Sequence, residues 1–181
     1  MFGLSVKWKG RSLDRLGRLA LAIEASAGRD QLRMDESSHV DRLRAEGAAS
    51  LYGICRKFVD ELNGRLKEPA LMLDPPQWDA DSFDDSRPNL LQISLRGRLL
   101  QIEVSATDEP YSTEEYRHRY VLEGAVRSFN QNFLESDTVD EQMIFFCAHD
   151  AVPVWHFFDP RTYRNGLVST EYLASELQRL L

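Results

Sequence analysis

The chain has 181 residues, of which 43% are hydrophobic and 28% charged, and a formal net charge of −7. That length suits one globular domain plus an extension, and the acidic balance gives no general electrostatic pull toward nucleic acid. No apolar run approaches the roughly 18 residues of a membrane span. The two cysteines, Cys55 and Cys147, lie far apart in apolar contexts, which argues against a zinc site or disulfide framework and fits a reducing compartment.

Residues 1–28 stand apart as a basic segment, with Lys7, Lys9, Arg11, Arg15 and Arg18 against the early acid Asp14. Phe2, Leu4, Val6 and Trp8 alternate as in a short strand. Leu13, Leu16, Leu19, Ala20 and Ile23 then follow helical spacing, with Arg11, Arg15 and Arg18 opposite. Such a basic amphipathic helix contacts a membrane surface or an acidic partner, or docks on its own acidic domain or a second copy. The apolar run Leu19–Ile23 ends at Glu24, short of the roughly 7–15 residues of a secretory signal core, so a cytoplasmic location is expected.

Residues 29–181 read as a single α+β domain. The polar stretch 28–38 is a linker or the start of a helix, and a long helix covers about Ser38 to Leu62. There Val40, Leu43, Ala48, Leu51, Ile54, Cys55, Phe58 and Leu62 keep a 3.6-residue period, and Asn63-Gly64 is a stop signal. Residues 69–76 form a short strand closed by prolines. The acidic loop 77–88 carries Asp79, Asp81, Asp84 and Asp85 but lacks the central glycine and terminal glutamate of a calcium loop, so it reads as solvated, with no metal. Residues 89–107 are a hairpin turning at Arg96-Gly97 or Gly97-Arg98. Leu91, Ile93 and Leu95 oppose Leu100, Ile102 and Val104, leaving Gln92, Ser94, Gln101 and Glu103 on a polar face.

The stretch 111–136 favours a strand over about 116–128 and a helical turn near 131–135. A Ser112–Glu115 capping box with Leu122, Val126, Phe129 and Phe133 offers a helix instead. With that helix the element order becomes α-β-β-β-α-β-β-α. In topology and acidic charge that order is similar to the type III secretion chaperones, which implies a partner-binding role. Residues 142–159 form a second hairpin. One register sets Phe145 opposite His156; the other sets Cys147 there. In both, Ile144, Phe146, Ala148, Trp155 and Phe157 face the main core. Met143, Phe145, Cys147, His149, Val154, His156 and Phe158 form a second, largely apolar face that also needs cover, from the N-terminal segment or a second subunit. Residues 168–181 form a helix capped by Ser169 or Thr170, with Leu173, Leu177, Leu180 and Leu181 toward the core.

Three clusters carry candidate chemistry. Cys147 and His156 are the minimum for a thiolate nucleophile, although mid-strand burial raises a thiol's pKa and keeps substrate out. His149-Asp150 is a bare dipeptide of the kind found in metal phosphohydrolases, without a second pair to complete it. Glu123, Arg127, Asn130, Gln131 and Asn132 cluster beside Gly124, either as a groove in which Arg127 grips a carboxylate or phosphate, or as an internal Glu123–Arg127 pair. Arg161, Tyr163 and Arg164 lie in a turn-rich loop before the last helix, as an anion site or as plain surface.

The sequence therefore predicts an antiparallel sheet of about five to six strands against a long helix in the N-terminal half and a C-terminal helix. The expected function is a non-enzymatic, chaperone- or adaptor-like interaction module that binds a protein partner or itself as a homo-oligomer, with no cofactor. The alternatives are a small hydrolase using Cys147 and His156 or the groove around Glu123 and Arg127, and a membrane-surface protein held by residues 1–23.

Overall fold

The structure, a computed structural model, describes residues 15–79, 81–130, 140–148 and 152–181. The chain divides into two compact units, Met1–Ser38 and His39–Leu181. The expected strand at Phe2–Trp8, the helical turn at 131–135 and the His149-Asp150 dipeptide lie outside the described residues.

Helix α1 runs Arg15–Asn63, so the polar stretch 28–38 is helical. Its arginines, glutamine, leucine, methionine and glutamate are good helix formers without a proline among them, and polarity alone does not break a helix. Gln31 adds an i, i+4 hydrogen bond to Asp35 at 2.8 Å. Within the first unit every residue of 15–38 is exposed except the half-buried Gly17 and Ser26. In the second unit Val40, Leu43, Ala48, Leu51, Cys55 and Phe58 of the expected stripe are buried, Ile54 and Leu62 are half-buried, and Val59 is buried in addition.

Helix α1 ends at the predicted stop, where Gly64 N–H donates to Asp60 O at 3.0 Å. Asn63 then acts as an adapter to the sheet. Its side chain accepts from Ala70 N and Leu71 N and donates to Leu71 O, all at 2.9–3.0 Å. The strands are β1 Leu71–Asp74, β2 Asn89–Leu95, β3 Arg98–Ala106, β4 Tyr120–Asn130, β5 Asp140–Cys147, β6 Val154–Asp159 and β7 Arg164–Leu167, followed by helix α2 Thr170–Gln178. They form one antiparallel sheet of seven strands in sequence order.

The α+β class is as expected, with one strand more than predicted. The extra strand is β7, hidden by the Asn165-Gly166 turn signal. Those residues pair with Phe158 and Phe157 instead. Gly166 leaves room for the Phe157 ring, which would lie 2.9 Å from a Cβ there. The turn itself is made by Asp159, which accepts from Arg161 N and Thr162 Oγ1, and by Tyr163 at φ 57.

The strand reading of 116–128 holds for Tyr120–Asn130, which removes the α-β-β-β-α order and with it the likeness to secretion chaperones. The strand starts later than predicted, and just after its first residue a register shift between Tyr120 and Leu122 inserts Val121 as a bulge. Residues 116–119 stay outside the ladder.

One sheet face packs on the second unit's part of α1 and on α2. Ile93, Leu100, Ile102, Leu122, Ile144 and Trp155 meet Leu51, Cys55, Phe58, Leu173 and Leu177 in one core. Two residues let helix and sheet come this close. At Gly47 a Cβ would stand 2.5 Å from the Phe146 ring, and its carbonyl accepts from Trp155 Nε1 at 2.8 Å. Arg44, 9% exposed, donates to Thr107 O (2.6 Å), Thr107 Oγ1, Glu109 O and Val121 O. Carbonyl dipoles thus solvate a buried cation and fix the root of the β3–β4 loop. Leu180 is buried as expected, whereas Leu181, past the end of α2, is 73% exposed.

Candidate functional site

The sheet face opposite the helices holds most of the candidate residues. Across β5 and β6 the observed register is Phe145↔His156 and Cys147↔Val154, so Cys147 and His156 are diagonal neighbours. Cys147 is 1% exposed and its Sγ points to Phe145 O at 4.0 Å. Neither cysteine is in a disulfide, and burial pushes the Cys55 thiol up to about 12.

The cover over this face is part of the same unit. Tyr116, from the loop between β3 and β4, stacks on Phe145 with ring centroids 4.9 Å apart and planes within 6°. It also lies 6.0 Å from the His156 ring and 6.1 Å from Phe158. Tyr116, Tyr120, Phe145 and Cys147 make a second small core, with Met143 and Phe158 packed against it. His118 stacks beside His156 at 6.1 Å, and its Nε2 accepts from Arg117 Nε at 3.1 Å. Sequence reasoning missed Tyr116 as this cover. The available signal was the aromatic density of "YSTEEYRHRY", which alternation alone assigned to a strand.

Tyr120 ties the loop to the sheet. Its backbone pairs with Ser112 in both directions, and its hydroxyl accepts from Glu115 N and lies 3.2 Å from Ser112 Oγ. Beside it sits Glu123. Burial pushes this carboxyl above its ordinary range; Glu115, Asp108 and Glu114 add to that, while the Tyr120 hydrogen bond opposes it.

Arg127 does not pair with Glu123. Its guanidinium donates to Glu141 across β4–β5 and to Glu103 Oε2 across β3–β4 at 3.1 Å. These two carboxylates hold Arg127 above its usual pKa, the Glu141 hydrogen bond being the largest cause. The internal-pair reading thus keeps its chemistry and changes its partners. Gly124 serves the close approach expected of it: a Cβ there would stand 2.1 Å from Glu103 O. Asn130 ends β4, and Gln131 lies outside the described residues.

Arg161 turns back on Asp159, Nε to Oδ1 3.6 Å, and Tyr163 is 77% exposed. The Asp159 carboxyl is held below its ordinary pKa chiefly by the Thr162 hydroxyl. Between this turn and α2 lies a cavity of about 320 Å³ with Gln142, Asp159, Arg164, Glu176 and Arg179 in its wall. Its charges answer one another, as Arg179 pairs with Glu176 at 3.1 Å and Tyr172 OH donates to Gln142 at 3.2 Å. At the start of α2, Ser169 Oγ takes the Tyr172 N–H as the cap.

In the acidic loop, Asp79 accepts from Asp81 N and Ser82 Oγ, and Asp84 from Ser86 N and Oγ. Asp84 also pairs with Arg87 at 2.7 Å. Among the described residues no group of three His, Cys, Asp or Glu side chains gathers in a metal-binding arrangement.

In the first unit, helix residues Leu16, Leu19, Leu21, Ile23, Leu32 and Met34 are 52–73% exposed. No helix among the described residues is long and apolar enough to cross a membrane. Compared with protein-family models, curated proteins and solved structures, the chain matches none of them.

Proposed function

We propose that the chain is a protein-interaction module that docks a partner protein, a second copy in the first instance, through helix residues 15–38. One observation carries this reading: six large apolar side chains stand exposed on a helix segment that buries almost nothing within its own unit. Isolated helices shorter than roughly 12–15 residues are marginal in water, and even longer ones draw most of their stability from packing an apolar face. Leu16, Leu19 and Ile23 share one stripe, which a two-fold related copy matches by construction. Arg15 and Arg18, on the opposite face of the same helix, also support the membrane-surface reading. The hydrolase reading draws less support, since Cys147 is closed off beneath Tyr116.

The test is light scattering of the full chain beside Leu19→Glu/Ile23→Glu. An assembly larger than a monomer that the double variant dissolves, with the circular dichroism of the sheet unchanged, supports the proposal. A monomer that floats with anionic vesicles, and ceases to when the two glutamates are present, replaces it with the membrane reading.

A further inference from the structure

A cavity of about 500 Å³ lies in the second unit where the ends of α1, α2 and the β2–β3 hairpin converge. Much of its wall is apolar, with Leu66, Leu71, Leu95, Leu177 and Leu181 among the lining residues. Leu66 and Leu181 are 40% and 73% exposed, unusual for leucines beside an available core. Its rim carries three cationic side chains, Lys67, Arg96 and Arg98, against the single acid Glu68. Arg98 is anchored, donating from Nε to Leu180 O at 2.6 Å. Lys67 and Arg96 make no ion pair or hydrogen bond among the described residues.

Arg96 adds a second, independent observation. The β2–β3 turn has two residues, Arg96 at φ 45 and Gly97 at φ 82, both left-handed as this tight hairpin requires. Asn, Asp or Gly suits the first of these positions. Arginine pays a steric penalty there, so the turn carries a cation at the expense of its own geometry. Backbone strain of this kind collects where a side chain is needed for binding.

We propose that this groove binds a medium-chain aliphatic carboxylate, its chain lying on the leucines and its carboxylate meeting Arg96 and Lys67. The volume is within the roughly 300–1,000 Å³ of small-molecule sites. The excess of cations on an otherwise acidic protein selects an anionic head group. A wall rich in leucines selects an alkyl chain.

The experiment titrates the full chain with sodium octanoate, sodium decanoate and 1-octanol by calorimetry, together with Arg96→Asn and Leu19→Glu/Ile23→Glu. Decanoate is expected to bind about tenfold or more tighter than octanoate, as two extra buried methylenes require. Octanol is expected to bind at least about tenfold weaker than octanoate for want of a charge-assisted pair. Arg96→Asn is expected to weaken decanoate about tenfold while the melting temperature holds or rises, since Asn-Gly favours this turn. The glutamate pair in the N-terminal helix is expected to leave decanoate affinity unchanged, which separates this site from the docking helix. Absence of decanoate binding at millimolar concentration overturns the proposal. So does equal affinity for octanoate and octanol, an Arg96→Asn variant that binds as well as the wild type, or binding of an acidic apolar peptide where decanoate fails.

Discussion

If Tyr116 is what seals the outer face of β5 and β6, then removing its ring opens that face without unfolding the sheet. Tyr116 is 7% exposed and stacks on Phe145 at 4.9 Å, directly over the small core that holds Cys147. Truncating a large buried aromatic to alanine costs about 3–5 kcal/mol. The β3–β4 loop has freedom to settle inward, so the lower end, about 3 kcal/mol, is the appropriate figure. The Arg44 and Tyr120 anchors at the two ends of the loop survive the substitution, so the loss falls on local opening of the loop rather than on the whole fold. At 1.36 kcal/mol per decade, Tyr116→Ala raises the open population about 100-fold. The readout is thiol labelling of the native protein in a Cys55→Ala background, where Cys147 is the one remaining cysteine. Its labelling rate is expected to rise about 100-fold. Tyr116→Phe, which keeps the stack, is expected to stay within about threefold of the wild type. A rise below about tenfold for Tyr116→Ala, or labelling whose urea dependence matches global unfolding, refutes the loop as the cover.

Gly124→Ala should be among the most damaging single substitutions, because its Cβ would stand 2.1 Å from Glu103 O and force β3 from β4 at the centre of the sheet. A loss above about 3 kcal/mol by urea denaturation, or no soluble protein, is expected, and a loss under about 1 kcal/mol would show that the strands part easily. Glu123 should make stability depend on pH. Its folded-state pKa is raised, chiefly by burial, so the folded protein holds that proton more tightly and loses stability as pH rises through the folded value. Glu123→Gln is therefore expected to gain denaturation midpoint relative to the wild type at pH 7 and to show no such gain at pH 4; an equal difference at both pH values would put the effect elsewhere.

Local patterns in the sequence carried much of this fold. The 89–104 hairpin was legible because its alternation survives in the structure, Leu91↔Ile102 and Ile93↔Leu100, with the turn at Arg96-Gly97. The second hairpin's two faces were legible for the same reason, and its register was narrowed to two. Of the two registers that the alternation allowed, the structure has the one with Phe145 opposite His156, which makes Cys147 and His156 diagonal neighbours. Three features resisted. The polar stretch 28–38 stayed open between a linker and the start of a helix because a helix without a buried face has no period to read. The bulge at Val121 shifts the parity of β4, so Tyr120 and Leu122, which alternation placed on one face, belong to the two different cores. The cover over Cys147 depends on a loop meeting a strand about thirty residues later, and no local pattern encodes such a contact.

The outer face of the sheet shows how one sequence handles a surface that is half solvated and half enclosed. From β2 to the middle of β4 that face carries Gln92, Gln101, Glu103 and Arg127, none of them needing cover. From the start of β4 through β6 it carries Tyr120, Phe145, Cys147 and Phe158, which do. An antiparallel sheet tolerates a wet face, so the first half is stable as it stands, whereas the second must be roofed by something. The roof comes from the connection between β3 and β4, the two strands that straddle the change. That is the shortest chain route from the solvated half to the apolar one. Glu123 stands on the border, its carboxyl pushed up by partial burial and by the loop acids Glu114 and Glu115. A carboxylate there resists a tighter roof, since each step of closure removes more of its water. The roof is accordingly pinned by Arg44 at its root and by Ser112 and Tyr120 at its return, and Tyr116, stacked on Phe145, supplies an apolar contact that closes it.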